Sequence, residues 1–563
     1  MRPWLAPTLA LTLAPLAGCN EVDALYAAGK AVPPGEPTAT TGTTGTGGPG
    51  EQTSDTTGAS SGEGTGGATS EGPDATSFGP TSIGTDSMGD APVEPPSIEV
   101  LIVPFKVTTA GPMPVSVYAK HALTAKVVLD DKETFYLENE GDADLDGVDL
   151  FSGAIPIYGS PDNGLHSLVA TVQRGELTDE LGRKFEVSTP PAGALAWEKF
   201  GGAGTKDSRL AVTSDGSVVE GGALTINGVA HPAIRLRDPI TGNDLWPEGT
   251  RVLDAREGSI ADIALTQNGD VWVAMNVKDG NVWTARLALF TPDMAPTGAQ
   301  LEKPGATIQA IDTTDAGGCF GAGFFTTLYG DTDMLVWHVA ADGTPILSGL
   351  PWDYTPDEKP HQFTDLAFDV VVSKLTDEAW IVGGARGKHN LNEPASETRA
   401  VIVHVDIDTF EHLSPVFIRP PKGNIQQSLF LGAWIETEGL LVTGYQCDMM
   451  CLGQSVIAER YSLAGVPQWG FETPPNGASA GNAIASTTHG TIVIAAMMKE
   501  GDTTHGFLLG RAGAEQAFAP VAFPGSGTSS ATSFVVGPYD WLFGGGNVTM
   551  GGVPQGYVLR LHP

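Results

Sequence analysis

Ile260-Ala261-Asp262-Ile263-Ala264-Leu265-Thr266-Gln267-Asn268-Gly269-Asp270-Val271-Trp272-Val273-Ala274-Met275 reads as two short apolar strands around a polar turn. Short apolar runs rich in β-branched and aromatic residues and bounded by Asn and Gly are a strand signal. The same unit recurs at 209–222, 308–323, 366–384, 429–444, 482–496 and 531–545. Each has a Ser or Thr, an apolar strand, a turn, a second apolar strand ending in small residues, and then a longer third strand. The turns fall near Gly216, Gly269, Gly317, Glu378, Gly439, Gly490 and Asp540, at intervals of 48 to 61 residues. A period of about 50 residues fits a four-stranded propeller blade, whereas a solenoid of β-turns needs a shorter one. The chain therefore reads as all-β, with a seven-bladed β-propeller over 193–563. The last unit offers only three strands, and Leu195 to Phe200, with Trp197, has no blade of its own. Placing that segment on the outside of the last unit removes an open edge and closes the ring.

Composition agrees with this reading. The 563 residues include 73 Gly and 41 Pro, and 30 Lys plus Arg stand against 66 Asp plus Glu for a net charge of −36. Gly, Thr, Val and Pro favour strands and turns. A polyanion without clustered cations does not hold a nucleic-acid backbone, so nucleic acid is excluded as a partner.

Upstream, residues 97–192 carry short alternating strands. Leu168, Ala170 and Val172 share one face while Ser167, Val169 and Thr171 share the other, the period of a half-buried strand. Several such strands in under 100 residues predict a β-sandwich. Asn163-Gly164-Leu165-His166-Ser167-Leu168-Val169-Ala170-Thr171-Val172 resembles the penultimate strand of bacterial Ig-like domains. With no Cys pair or core Trp, the likeness is to the architecture.

The N-terminus gives the address. Arg2 precedes an apolar run from Leu5 to Leu16, broken by Pro7 and Pro15, too short to span a membrane. Leu16-Ala17-Gly18-Cys19 resembles a bacterial lipobox. The resemblance implies a signal peptide over 1–18, a diacylglyceryl thioether on Cys19 and cleavage before it. Several acyl chains make a stable anchor where one does not. Asn20 lacks the acidic retention signal of some inner-membrane lipoproteins, which points to the outer membrane or cell surface. Residues 19–96 form the lipidated N-terminus and linker; from 36 to 95, 41 of 60 residues are Thr, Gly, Ser or Pro and none is Lys or Arg. Such a segment buries too little to offset chain entropy and reads as a disordered tether. It spans roughly 40 to 45 Å on average.

Several motifs carry candidate chemistry. Gly477-Ala478-Ser479-Ala480-Gly481 fits G-x-S-x-G, but other units fill that slot with Ser208, Ser259, Thr307, Thr364, Ser428 and Ser530, and no helix follows. A hydroxyl in repeat register explains it better than a nucleophile elbow. Gly201-Gly202-Ala203-Gly204-Thr205-Lys206 has its Lys and Thr in the wrong order for a phosphate loop. Asp142, Asp144 and Asp146 before Gly147 begin a calcium-loop pattern, yet position twelve is Gly153 rather than Glu. Both calcium and a plain solvated acidic loop remain open, and calcium is the one cofactor suggested. No local histidine pair has zinc spacing. Cys447 and Cys451, three residues apart at a hairpin tip, are expected to form a disulfide in an exported chain, with two free thiols or a metal as rivals. Cys319, within an apolar strand, reads as a buried free thiol.

Trp197-Glu198-Lys199-Phe200-Gly201-Gly202, followed by Leu210-Ala211-Val212 and Asp215-Gly216-Ser217-Val218, resembles the SBBP-type bacterial propeller repeat. Asp238-Pro239-Ile240-Thr241-Gly242-Asn243-Asp244-Leu245-Trp246 is similar to the outer-strand motif of quinoprotein-type propellers, echoed at Gly465-Val466-Pro467-Gln468-Trp469. Both likenesses imply a seven- or eight-bladed propeller and say how blades dock, not what the ring does. The expectation is an envelope-anchored monomer bound to the membrane through its lipid. Its propeller is expected to bind a protein or glycan, with no catalytic residue evident. The alternative is an extracytoplasmic enzyme, quinoprotein-like or carbohydrate-active. Adjacent cysteines usual in quinoprotein dehydrogenases are missing.

Overall fold

The computed structural model describes residues 93–141, 147–202, 204–326, 332–352, 364–386, 398–419, 425–437, 439–448, 453–475, 479–500, 503–513, 515–525 and 527–563. In the N-terminal unit, strand Gly111–Lys120 alternates buried and outward residues along its length. Met113, Val115, Val117 and Ala119 face the core, where they meet Phe151, Ile155, Leu168, Ala170, Val172 and Phe185. Eight strands follow one path. Strand Glu133–Gly141 turns the corner: Glu133 to Leu137 pair with Thr124–Leu129, while Glu138 to Gly141 pair with Val148–Ile157. Both halves then fold over one apolar interior.

The remaining strands make successive four-stranded antiparallel units. They comprise Thr205–Val212, Val218–Ile226, Val229–Arg237 and Thr250–Val252; then Glu257–Leu265, Val271–Asp279, Val282–Phe290 and Pro296–Pro304. Next come Ala306–Thr313, Cys319–Thr326, Thr332–Val339 and Pro345–Trp352, then Thr364–Val372, Glu378–Arg386, Thr398–Asp406 and Phe417–Ile418. Ile425–Glu436, Gly439–Asp448, Gln454–Ser462 and Pro467–Glu472 follow, with Ala480–Ser486, Ile492–Glu500, Thr503–Ala512 and Glu515–Ala522 after them. The final unit joins Ser529–Val536, Leu542–Met550 and Val553–Leu561 to Leu195–Phe200, with Arg560 opposite Trp197. The upstream segment thus occupies the outer edge of the last unit, as the sequence suggested. The first strand of each unit lies against the first strand of the next, and Ser529–Val536 lies in turn against Thr205–Val212. This is the inner wall of a β-propeller arrangement.

Two local rules generate the units. Thr213, Thr266, Thr314 and Thr487 each accept the amide of a Gly three residues on, at 2.9 to 3.0 Å, and that Gly takes positive φ. The small residues ending each second strand answer to a β-bulge on the first strand. The bulge pushes backbone into the space a side chain would fill. A Cβ at Gly383, Gly444 or Gly546 would stand 1.9 Å from the carbonyl oxygen of Leu366, Leu429 or Ser530.

The first-to-second-strand turns lie on one face of this arrangement, and the N-terminal unit sits there. Trp541 donates Nε1–H to the Ala110 carbonyl at 3.1 Å, Ser160 donates to the Pro563 carbonyl at 3.2 Å, and Tyr158 meets the His489 ring edge-on at 5.0 Å. The second-to-third-strand and unit-to-unit connections leave at the opposite face. Two residues suffice there at Asn227-Gly228, Gly280-Asn281 and Gly551-Gly552, whereas 353–363 and 387–397 make longer links.

Candidate functional site

Three places bring chemistry-bearing side chains together. The first is the inner wall. Asp262, Asp312 and Asp369 stand on three consecutive inner strands, and each reaches across to the next unit. Asp262 Oδ2 accepts the Ile311 amide at 2.8 Å, Asp312 Oδ2 the Val372 amide at 2.8 Å, and Asp369 Oδ2 the Ala433 amide at 2.7 Å. At the closing seam Ser533 Oγ does the same for the Leu210 amide at 3.1 Å. Burial, reinforced by Asp312, pushes the Asp262 carboxyl up to about 6. Burial and then the charges of Asp262 and Asp312 push Asp369 up to about 8.

The second place is the seam between the first and last units. A shallow cavity of about 250 Å³ is lined there by Thr205, Lys206, Glu220, Arg235 and Thr250. Arg237 donates Nε–H to Glu220 Oε2 at 2.7 Å, Ser208 donates to Glu220 Oε1 at 2.9 Å, and Arg235 donates to the Gly201 carbonyl at 3.1 Å. These bonds tie the outer-edge strand to the first unit, and the buried charges are matched.

The third lies at the junction with the N-terminal unit, around a cavity of about 270 Å³. Asp540, almost wholly buried, accepts from the Thr488 amide at 2.9 Å, from Thr488 Oγ1 at 2.7 Å and lies 2.9 Å from His489 Nδ1. Tyr539 and Asp540 both hold positive φ, where the other turns use one Gly. Burial, then the Asp540 charge, raises the Tyr158 hydroxyl above its ordinary range. The hydroxyl of Thr488 is spent on Asp540, so this group is a brace between turns.

Cys19, the acidic residues Asp142, Asp144 and Asp146, and Cys451 lie outside the described residues. Cys447 is disulfide-bonded. Cys319 is a buried free thiol, and burial followed by the charges of Asp312 and Asp262 holds it well above its ordinary range. Ser479 is buried at the head of strand Ala480–Ser486. Its counterpart Ser428 accepts the Ala400 amide at 3.1 Å, in keeping with a repeat-register hydroxyl.

One reading needs correction. Asp238 to Trp246 is not the outer strand, which is Thr250–Val252. Asp238 Oδ1 accepts the amides of Ile240 and Thr241 and the Thr241 hydroxyl at 2.7 to 3.1 Å, closing a turn. A carboxylate that accepts from residues two and three ahead competes with the ladder and ends it. The same turn recurs where Asp406 accepts from Asp408 and Thr409 at 2.8 to 3.0 Å. The inner-wall carboxylates escaped sequence reading, although their place beside the repeated bulge was a usable signal.

Strand pairing and geometry define an all-β chain of the β-propeller class with a second all-β unit ahead of it. No family model matches the chain, and no curated protein matches it. Among solved structures it is similar to the polysaccharide lyase Uly1, at 11% identity over 63% of this chain and 89% of that one, with a TM-score of 0.40. It is also similar to the WD40 β-propeller domain of Doa1, at 11% identity over 65% and 96%, with a TM-score of 0.40. A third is the β-propeller domain of the Trilobed protease from Pyrococcus furiosus, at 9% identity over 64% and 94%, with a TM-score of 0.36.

Proposed function

We propose that this chain is a lipoprotein anchored in a bacterial envelope through Cys19, acting as a monomer. In this reading a seven-bladed propeller binds a protein or glycan across one face, an Ig-like sandwich over 97–192 supports it, and residues 19–96 hold both off the membrane. Leu16-Ala17-Gly18-Cys19 and the tether composition support the address. The closed succession of inner strands and the pairing of Leu195–Phe200 with Val553–Leu561 support the blade count.

One observation carries the binding reading. The N-terminal unit occupies the face of the first-to-second-strand turns through Ala110 and Tyr158, and the longer links 353–363 and 387–397 leave from the other. Recognition concentrates on loops held by a rigid scaffold. The test is binding of the chain from residue 93 onward to fractionated envelope proteins and glycans, beside a variant in which 387–397 is replaced by Asn-Gly. Binding that the variant loses supports the reading, and equal binding by both overturns the choice of face. Cys19→Ser is expected to move the protein from membranes to the soluble fraction. The enzymatic alternative predicts visible absorbance from bound quinone after incubation with calcium.

A further inference from the structure

We propose that the inner wall is held by a structural proton shared among Asp262, Asp312 and Asp369, so that the second to fourth units pack tightest in mildly acidic surroundings and loosen on alkalinisation. The geometry supplies the reason. Three carboxylates on adjacent inner strands each staple a backbone amide of the next unit at 2.7 to 2.8 Å, so none can swing away without breaking a unit-to-unit bond. The last unit makes the equivalent bond with neutral Ser533, so the staple itself requires no charge.

The surrounding charges do not balance the three. Lys374, on the turn after Asp369's strand, donates to Asp312 Oδ1 at 2.9 Å. Arg209, on the first inner strand, acts favourably on Asp262, and its Nη1–H is spent on the Thr532 carbonyl at 2.9 Å. Asp369 has no cation among the groups that act on it most strongly, and those groups include both other carboxylates. The elements packed around it bring no further compensation. Cys319 on the neighbouring second strand is a buried neutral thiol. Glu378 on Asp369's own hairpin is engaged by His404 at 3.1 Å, and His338 by the Ile407 carbonyl at 2.9 Å and Asp408 at 3.3 Å. Asp365 and Arg399 are both buried in the same unit, upstream on their strands. On the following inner strand, Glu436 is held by Arg460 at 2.9 Å. Strands Ala480–Ser486 and Ser529–Val536 contain no charged residue. Three anions thus face two cations, and a proton on the uncompensated carboxyl removes the repulsion while its other oxygen still accepts the Ala433 amide.

The sign follows from proton linkage. An unfolded carboxylate releases its proton near pH 4, whereas the folded wall keeps one to higher pH, so folded protein binds more protons across that interval and stability falls as pH rises through it. One retained proton changes the folding constant about tenfold per pH unit.

The experiment measures urea unfolding of the full chain from pH 5 to 9, for wild type, Asp369→Asn and Asp262→Asn. Hydrogen exchange in the peptide spanning Ile425–Glu436 is followed alongside, corrected for intrinsic rate. Wild type is expected to lose about tenfold in folding constant per pH unit from pH 6 toward pH 8 and to lose protection at Ala433. Asp369→Asn, which keeps an acceptor for that amide, flattens both dependences. Asp262→Asn removes one repelling charge and moves the wild-type decline to higher pH, because the remaining folded anion is easier to bear. A flat wild-type profile, or an Asp369→Asn profile as steep as wild type, overturns the proposal. An Asp369→Asn variant less stable than wild type at pH 8 also overturns it, since the charged form would then be the stabilising one.

Discussion

Trp197 donates its Nε1–H to the carbonyl of Pro239 at 2.9 Å, joining the outer edge of the last unit to a turn of the first. The ring lies against Gly242, where a Cβ would stand 2.6 Å from it and where φ is already +67°. A residue before the first complete unit therefore fastens the end of the chain to its beginning, and the docking tryptophan of this turn is Trp197 rather than Trp246.

Trp197→Ala removes a buried indole and leaves the Pro239 carbonyl without that donor. A loss of about 3 to 5 kcal/mol is expected for a core Trp truncation. Chemical unfolding measures it, and limited proteolysis should show strand Val553–Leu561 cut earlier than in wild type. An unchanged unfolding midpoint would remove the closing role assigned to this contact.

Gly546→Ala tests the bulge. Its Cβ would fall 1.9 Å from the Ser530 carbonyl oxygen, so strand Leu542–Met550 has to move away from its inner neighbour. Overpacking of this kind costs about 1 to 3 kcal/mol or more. Gly551→Ala, with nothing within 4 Å of its Cβ but φ at +59°, is expected to cost only about 1 kcal/mol. Thermal melts of the two variants should rank in that order.

Asp254 governs the acid limb of stability. Burial opposes its charge but is outweighed by hydrogen bonds from Arg256 and Arg286, which hold the carboxyl down to about 2. A lowered folded value means stabilisation present above pH 4 and lost as pH falls toward 2. Asp254→Asn should lower stability at pH 7 and flatten the profile between pH 4 and 2, as read by unfolding at fixed denaturant.

Thiol titration tests the cysteines. In the chain from residue 93 onward, native protein should react with no thiol reagent, because Cys319 is buried and its thiolate is suppressed. Denatured without reductant it should show one thiol, from Cys319, with Cys447 bonded to Cys451. Three thiols would remove that pairing.

Much of the layout was legible because local chemistry dictates it. Thr266 to Gly269 closes a hairpin by its own backbone bonds, and Leu168, Ala170 and Val172 sort to one face by the pleat alone. Trp197 could be assigned to the outer edge since the last unit lacked a fourth strand. Asp238 to Trp246 misled because a turn that folds on its own carboxylate has the same residues as a strand end.

The sequence by itself determined the strand register, the turn positions, the period and the orphan segment that closes the set, since each depends on neighbours a few residues apart. Only the tertiary structure decided that Asp262, Asp312 and Asp369 share one wall, that Asp540 braces Thr488 and His489, and that Trp541 seats the N-terminal unit on Ala110. These groups lie about fifty to four hundred residues apart along the chain. Their energies come from desolvation and mutual charge, which exist only once the inner strands have been brought together.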